Sequence, residues 1–273
     1  MAEQNEIPES QCIISGEGAE SILATMSKWD EVSEICFAVA RQDRRLVGVI
    51  GCEFDEELGR GWLWGPFALA EPWDETAAAL LEELLALLPP AIRRLDFFVN
   101  EANQRAYRFY LAHGFGTPSF SHVYAAPRPQ EPLVLSEPCS PLQPAQAGSF
   151  RALHDAIFPN TYYTGQDILD QRDGEHQVFV RPQGDEVVGY AYAIVDESGE
   201  GYVEFLGVHP DRRGRGLGKG LLLTALDWLF RTKDVCEVGL TVSDDQTNAR
   251  SLYEKVGFRI KYTGLSARMD REP

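Results

Sequence analysis

The chain has 273 residues, and its 25 Lys and Arg against 42 Asp and Glu give a formal net charge of −17 at pH 7. This length predicts about two ordinary domains, while 44% hydrophobic and 25% charged residues are typical of a soluble globular protein and exclude a disordered or fibrous one. The acidity argues against a surface that coats nucleic acid, because such a surface needs clustered Lys and Arg. No apolar run approaches the roughly 20 residues of a membrane-spanning helix, and the first residues lack the basic start and apolar stretch of a signal peptide.

The cysteine usage favours a reducing compartment. The count is odd and no Cys-x-x-Cys spacing occurs, so we expect neither a disulfide framework nor a zinc site, and no other bound metal. A cytoplasmic location is the simple interpretation. The five cysteines are Cys12, Cys36, Cys52, Cys139 and Cys236.

The first half of the chain contains strand-like segments at 46–51 and 95–99. A proline-rich segment at 127–144 follows. Proline fixes the backbone angle φ and removes a hydrogen-bond donor, which suits a linker. We therefore place a domain boundary near residue 130, with one domain at 1–130 and a second at 131–273.

The second half alternates helical and strand-like periodicity. An initial hairpin followed by strands that alternate with helices indicates an α/β fold with a mixed sheet. The predicted helices cover 145–158, 165–171, 216–230 and 247–255, and the predicted strands cover 177–181, 186–195, 202–208, 237–242 and 259–268.

Residues 103–115 and 246–258 form a weak internal repeat, in which Tyr110 matches Tyr253 at an offset of 143 residues (253 − 110). Both segments end in Gly-Phe, and the strand-like segments just upstream match at the same offset. A period this long indicates two copies of a whole domain and not a solenoid.

A glycine-rich segment at 209–220 follows the strand 202–208 and precedes a helix, and it holds four glycines and four basic residues. Glycines at such a turn let the backbone approach an anion, and the free N–H groups and positive end of the helix then hold it. The segment therefore predicts a phosphate or pyrophosphate ligand. A Walker loop is excluded because Arg213 stands where its first Gly should be. The pattern G-x-G-x-x-G is excluded because Lys219 or Leu221 replaces its last Gly.

Two motifs occur in order and at suitable spacing. The first is Val208-x-Pro210-x-x-Arg213-x-x-Gly216-x-Gly218, and the second, one helix and one strand later, is Leu252-Tyr253-x-x-x-Gly257-Phe258. On these residues the chain resembles the GNAT superfamily of N-acetyltransferases, over 133–270 well and over the first half in outline. The resemblance implies two tandem GNAT-like domains, each a mixed, mostly antiparallel sheet flanked by helices, with a splayed acetyl-CoA cleft in the second.

The resemblance implies acetyl-CoA as co-substrate and direct attack by the acceptor amine in a ternary complex, without a covalent enzyme intermediate. The pantetheine arm would lie in a gap between 202–208 and 237–242, against the backbone of Leu206 and Val208, where backbone N–H groups would also hold the oxyanion. The pyrophosphate would bind the loop residues Arg213, Gly214, Arg215, Gly216, Leu217, Gly218 and Lys219.

Tyr253 occupies the general-acid position of the family, and a phenol of pKa about 10 is a sensible proton source for a departing thiolate. The alternative is a Tyr that only packs its helix on the sheet. Glu204, on the strand feeding the loop, is the candidate general base, acting directly or through a water; the alternative is a solvent-facing side chain. Many relatives carry Asn seven residues before the Tyr, and here either Gln246 or nearby Asn248 is expected to contact the cofactor.

The first copy lacks the loop. At the same offset, residues 69–76 contain no glycine and three carboxylates, which would repel a pyrophosphate, and Pro72 removes one donor. We expect domain 1–130 to be a degenerate copy that does not bind acetyl-CoA through this loop and serves as a scaffold or as one wall of the substrate cleft.

Several aromatic residues of the second copy are candidates for the acceptor site. Tyr162 and Tyr163 fall between its first two helices, a region that often lines the acceptor site in the superfamily; packing on the neighbouring domain is the alternative. Tyr190 and Tyr192 share one strand face and belong either to the core or to the cleft wall. His176 has no evident partner in the sequence.

The leading prediction is an acetyl-CoA-dependent N-acetyltransferase acting on a primary amine, either a small molecule or a protein amino group. The alternative is a non-catalytic acetyl-CoA-binding protein whose first half binds a partner or regulates. The net acidity weakly favours a cationic amine through electrostatic steering. We expect no nucleic-acid or membrane partner. A monomer and a homodimer both stay open, because two fused copies can imitate the pairing of single-domain relatives.

Overall fold

The computed structural model describes residues 1–12, 22, 34–135, 139–159, 161–184, 186–196 and 199–271. The chain divides into two compact units: unit 1 is Met1–His122 with Tyr262–Pro273, and unit 2 is Val123–Lys261. The last strand belongs largely with unit 1 because it pairs there, from Gly264 opposite Asn100 to Asp270 opposite Arg94. The boundary near residue 130 separates the two sequence copies and stays a prediction. The two units are defined by packing instead.

Unit 1 is built on a mixed sheet. Strands β1, β2 and β3 pair antiparallel in that order, β3 and β4 pair in parallel, and the outer part of β11 pairs antiparallel with β4. Its elements are α1 (Ala2–Asn5), a 3-10 turn (Pro8–Ser10), β1 (Glu34–Gln42), β2 (Arg45–Asp55), β3 (Arg60–Ala68), α2 (Trp73–Leu87), β4 (Arg94–Asn100), α3 (Gln104–Ala112), the first residues of β5 (Ser119–Pro127) and most of β11 (Arg259–Asp270).

Unit 2 is also built on mixed, mostly antiparallel strand pairing. Strands β6 to β9 pair antiparallel in sequence, and β9 pairs in parallel with β10. Its elements are the remainder of β5, β6 (Ser140–Pro141), a 3-10 turn (Pro144–Gln146), α4 (Ala147–Ile157), α5 (Gly165–Gln171), β7 (His176–Gln183), β8 (Glu186–Val195), β9 (Gly201–Val208), a 3-10 turn (Pro210–Arg212), α6 (Leu217–Asp227) continued by a π turn (Trp228–Thr232), β10 (Glu237–Ser243), α7 (Thr247–Val256) and the first residues of β11.

The sheet of unit 2 is buried on both faces. Val178 packs in the core under α4 and α5, while the next residue, Phe179, packs in the core under α6, as the two-residue period of a strand requires. Tyr190 and Tyr192 are fully buried in the α4 and α5 core. They are therefore core residues and not cleft wall.

The structure confirms the predicted mixed α/β sheets flanked by helices. Gly257 ends α7 at φ +117°, a left-handed value that favours glycine. The short strand β6 and the π turn after α6 carry no strong periodic signal and were not predicted. No helix within the described ranges is both long and apolar enough to cross a membrane.

Candidate active site

The parallel strands β9 and β10 separate towards their carboxyl ends. They pair only at Gly201 with Val238 and at Tyr202 with Gly239, although both strands continue beyond these residues. The second half of β9 therefore has an open edge on this side within the described chain. Leu206 and Val208 lie on that half of β9. The gap lies between 202–208 and 237–242, where the resemblance implied a splayed cleft.

A β-bulge at Glu204 changes the direction of the β9 side chains. Tyr192 of β8 lies opposite Phe205, but Ala193 lies opposite Val203, so Glu204 is the extra residue. Val203 consequently packs in the α6 core, whereas Phe205 packs in the α4 and α5 core. Bulges often re-aim a side chain beside an active site, and here the bulge residue is the predicted general base.

The loop between β9 and α6 presents a row of unpaired amides. Gly214 (φ +73°) and Gly216 (φ +80°) take left-handed conformations, and Gly216 is the N-cap of α6. From Gly214 to Lys219, no backbone N–H has a hydrogen-bond partner within the described ranges. These amides lie at the positive end of the α6 dipole. The loop therefore supplies the donors that an anion requires.

Basic side chains surround these amides. Arg215 and Lys219 are exposed. Arg213 is also exposed, and its Nε donates to the carbonyl oxygen of Val208 at 3.1 Å. This bond braces the loop against the end of β9, so Arg213 has a structural contact in addition to its charge.

Tyr253 projects from α7 into the core of unit 2 and is 8% exposed. Its ring lies 6.3 Å from that of Tyr124 and 6.0 Å from that of Phe258, measured between centroids. Its hydroxyl group has no hydrogen-bond partner in the described part of the chain, and solvent can reach it. Burial raises the pKa of Tyr253 to about 12. The side chain therefore offers a protonated hydroxyl that no protein group occupies.

The two candidates for the remaining cofactor contact lie at the start of α7. Gln246 is the N-cap residue, but its side chain makes no capping bond and donates weakly to Asp245 at 3.4 Å. Asn248 is exposed in the first turn. Neither side chain is committed to the helix, and both stay candidates.

Glu204 is partly buried and hydrogen-bonded. The hydroxyl group of Tyr162 donates to Glu204 Oε2 at 2.5 Å. The Tyr162 ring lies against Phe205, with 5.3 Å between centroids, and edge-on to Tyr163 at 4.9 Å. Burial raises the pKa of Glu204, and the bond from Tyr162 partly opposes this. The structure thus joins the predicted base to the predicted aromatic pair.

His154 is a site-supporting residue that the sequence interpretation missed. It is fully buried, and its Nδ1 accepts from the Tyr190 hydroxyl group at 2.6 Å. Its other nitrogen, Nε2, lies 2.8 Å from the Tyr163 carbonyl oxygen, which can only accept, so Nε2 carries the proton. Burial lowers the pKa of His154, consistent with a neutral ring. The only signal in the sequence is its place four residues after Phe150, which indicates a core face.

His176 does have a partner, which corrects the sequence interpretation. Its Nδ1 lies 2.8 Å from Asp173 Oδ1, three residues earlier, and this bond lowers the pKa of Asp173. A protonated His176 also lowers the pKa of Glu204. The spacing of three residues between Asp173 and His176 was the available signal.

Unit 1 carries different groups at the matching positions. Glu71 Oε2 accepts from the amide of Trp73 at 3.1 Å, so a carboxylate of the chain itself lies at the start of α2. Tyr110, the match of Tyr253, is fully buried and donates to the carbonyl oxygen of Gly65 at 2.7 Å. Two positions whose counterparts in unit 2 have no hydrogen-bond partner in the described ranges are thus bonded to protein atoms in unit 1.

Residues 147–258 match the profile of the Acetyltransferase (GNAT) family. The match includes the β9–α6 loop, Glu204 and Tyr253. The match supports a GNAT acetyltransferase domain over residues 147–258, as the resemblance implied.

Among curated relatives, the mycothiol acetyltransferase of Streptomyces avermitilis is 28% identical over 204 residues, covering 68% of this chain and 65% of that protein. The mycothiol acetyltransferase of Clavibacter sepedonicus is 42% identical over 73 residues, covering 27% of this chain and 23% of that protein. The chain thus spans less than two thirds of the length of these relatives.

Two solved structures share the fold. The GCN5-related N-acetyltransferase from Sphaerobacter thermophilus has a TM-score of 0.72 at 18% identity, and the match covers 93% of this chain and 86% of that protein. A tandem GNAT protein from the clavulanic acid biosynthesis pathway has a TM-score of 0.62 at 13% identity, and the match covers 92% of this chain and 88% of that protein. At these identities the likeness concerns the fold, and it includes a tandem arrangement.

Proposed function

We propose that the chain is an acetyl-CoA-dependent N-acetyltransferase and that the second copy, 131–273, carries the reaction. The observation that supports this most directly is the row of unpaired amides from Gly214 to Lys219 beside the open edge of β9. A pyrophosphate needs convergent donors at a helix N-terminus, and an extended pantetheine arm needs a free strand edge. The two lie next to each other in unit 2.

In this proposal the loop residues from Arg213 to Lys219 hold the pyrophosphate through their amides, with the basic side chains adding charge. The β9 backbone at Leu206 and Val208 holds the pantetheine arm and orients the thioester. Gln246 or Asn248 supplies a further polar contact from α7. Each assignment places a polar group of unit 2 against a polar part of the co-substrate.

The acetyl transfer is a direct displacement. The amine nitrogen attacks the thioester carbonyl carbon, the new C–N bond forms, and the C–S bond breaks. The proton leaving the amine passes to Glu204, directly or through a water, and the departing thiolate takes a proton from Tyr253. Burial raises the pKa of Glu204, which makes its carboxylate a stronger base. Burial also keeps the Tyr253 phenol protonated at neutral pH.

The acceptor is proposed to be a primary amine that enters beside Glu204 and Tyr162. A small molecule is the first class to test, because the curated relatives are named mycothiol acetyltransferases. A protein amino group is the second class. The cysteine usage favours a cytoplasmic site of action.

The test is a pair of measurements on the full chain. Calorimetric titration with acetyl-CoA is expected to give one equivalent bound per chain. Incubation with acetyl-CoA and a panel of amines, followed by detection of free thiol, is expected to give turnover with at least one small amine. Binding without turnover on any amine would identify a non-catalytic acetyl-CoA-binding protein instead. Absence of binding would remove both functions.

A further inference from the structure

The N-terminal segment of the chain, residues 1–12, lies in unit 1 against the end of β4. The carbonyl oxygen of Gln11 accepts from the amide of Asn100 at 3.1 Å, and Gln11 Oε1 accepts from Asn100 Nδ2 at 2.8 Å. Asn100 is the last residue of β4, and the pairing of β4 with β3 ends three residues earlier, at Phe97 opposite Leu63. The N-terminal segment therefore binds where β3 and β4 have ceased to pair.

Asn103 adds a second set of contacts to the same segment. Its Nδ2 donates to the Gln11 carbonyl oxygen at 3.3 Å and to Cys12 Sγ at 3.1 Å, while its Oδ1 accepts from the amide of Ala106 at 3.1 Å. The internal repeat aligns Asn103 with Gln246, the residue at the start of α7 in unit 2. In unit 1 the side-chain amide at this position therefore contacts the N-terminal segment.

These contacts form a closed polar cluster inside the unit. Asn5 is 0%, Gln11 8%, Cys12 2%, Asn100 5% and Asn103 3% exposed. The amide of Cys12 donates to Asn5 Oδ1 at 3.0 Å, so the two ends of the N-terminal segment are tied together. Buried amide groups are costly to leave without partners. The cluster therefore specifies amide side chains and a peptide backbone.

A cavity of about 120 Å³ remains between the N-terminal segment and the body of unit 1. Gln4, Glu9 and Ser10 of the segment line one side. The end of β3 at Phe67, the start of α2 at Trp73 and the start of α3 at Asn103 line the other. These three element ends correspond to β9, α6 and α7 in unit 2. A peptide lies in unit 1 where the matching elements of unit 2 leave an open cleft.

We propose that the cleft of unit 1 is a peptide-binding site and that its ligand is the chain's own N-terminal segment. The site selects the peptide through the backbone carbonyl and amide side chain of Gln11 and the thiol of Cys12. Asn5 holds the bound conformation of the segment, because its Oδ1 accepts from the amide of Cys12. It holds no acetyl-CoA, because Glu71 already occupies the start of α2. This site is independent of the activity proposed for unit 2.

The test uses the full-length chain and a fluorescently labelled peptide with the sequence of residues 1–12. The double variant Asn5→Ala/Gln11→Ala weakens the bound segment but leaves Asn100 and Asn103 in place. In the wild-type chain the tethered segment competes at high effective concentration. We therefore expect the labelled peptide to bind the double variant about tenfold or more tightly than the wild type, since two hydrogen bonds are lost from the competitor. A control peptide carrying both substitutions is expected to bind neither.

A second measurement does not depend on the folding of the variant. Cys12 and Cys52 are both buried in unit 1, at 2% and 0% exposure. Excess unlabelled peptide with Cys12→Ser, added to the wild-type chain, is expected to accelerate alkylation of Cys12 several-fold while Cys52 stays protected. Equal rates for the two thiols, or no effect of the peptide on Cys12, would overturn the proposal. A second equivalent of acetyl-CoA bound by the double variant would also overturn it, because the cleft would then be a cofactor site.

Discussion

The tyrosines at the matching positions of the two copies have opposite environments. Tyr110 in unit 1 gives its hydroxyl group to the Gly65 carbonyl at 2.7 Å and stacks on Phe97, with 4.3 Å between ring centroids. Tyr253 in unit 2 has a similar buried ring but a hydroxyl group without a protein partner in the described ranges. The ring is kept for packing in both copies, and only the free hydroxyl group in unit 2 is available for chemistry.

The helix that follows the third main strand of each copy shows the same contrast. In unit 2, Gly216 begins α6 and leaves the first amides free. In unit 1, Glu71 fills the start of α2 by accepting from the amide of Trp73. The two copies therefore share an architecture but differ in their uncommitted polar groups, because architecture depends on packing and function on the groups left free to bind.

The largest effect is expected from Gly216→Glu, which makes the start of α6 resemble that of α2. The new carboxylate repels a pyrophosphate and competes for its amides, and loss of two charge-assisted hydrogen bonds corresponds to about a thousandfold weaker binding of acetyl-CoA. Calorimetry measures the change. The matched control is Gly199→Glu, because Gly199 has φ +81°, against +80° at Gly216, and both have open space around a Cβ atom. Unchanged affinity in Gly216→Glu would place the anion site elsewhere.

The next effect compares the two tyrosines directly. Tyr253→Phe removes a hydroxyl group that bonds nothing in the described chain, so we expect kcat to fall about a hundredfold with little change in Tm. Tyr110→Phe leaves the Gly65 carbonyl oxygen without its donor, so we expect the free energy of unfolding to fall by about 1–3 kcal/mol with kcat retained. Thiol-release kinetics and denaturant unfolding measure the two quantities. The reverse pattern would contradict the assigned roles.

A smaller effect concerns the pH dependence of kcat/KM. Burial raises the pKa of Glu204, so its basic form is lost on acidification at a higher pH than for an ordinary glutamate. The bond from Tyr162 lowers that pKa. Tyr162→Phe is therefore expected to move the acid limb of the profile to higher pH, with a several-fold loss of rate just below the wild-type midpoint.

Glu204→Gln provides the control for this assignment. It removes the titrating carboxylate, so the acid limb is expected to disappear and the remaining rate to vary little over the same range. An acid limb that persists in Glu204→Gln would assign the titration, and the base, to another group.

The sequence was sufficient for those parts of the fold and site that depend on local signals. Two strand-like segments separated by a turn predicted β7 and β8 as a hairpin, and the glycines at 214 and 216 allowed the loop before α6 to be recognised. The bulge at Glu204 could not be predicted, because Val203 and Phe205 alternate as if on one face. Only the pairing of β9 with β8, which is not local, places them on opposite faces.

Long-range polar contacts were also beyond prediction. Gln11 and Asn100 are 89 residues apart in the chain, and nothing near either residue indicates the other. His154 gave a core signal through its spacing, but its bonds to Tyr190 and Tyr163 depend on the packing of α4 against β8 and the loop. The sequence predicted that the first copy lacks a phosphate loop, and the structure places the Glu71 carboxylate against the amide of Trp73 at that position.

The smallest expected effect tests whether the Glu71 carboxylate alone prevents the first copy from binding acetyl-CoA. Glu71→Ala removes the acceptor for the Trp73 amide, so the free energy of unfolding is expected to fall by about 1 kcal/mol or less, as for the loss of a helix cap. Glu71→Gln keeps an acceptor oxygen without the charge, so its free energy of unfolding is expected to fall by less than that of Glu71→Ala. Acetyl-CoA should still bind at one equivalent per chain in both variants, because residues 69–76 contain no glycine to bring the backbone to a phosphate. A second equivalent of acetyl-CoA bound by Glu71→Gln would mean that one charge, and not the backbone of the loop, prevents the first copy from binding it.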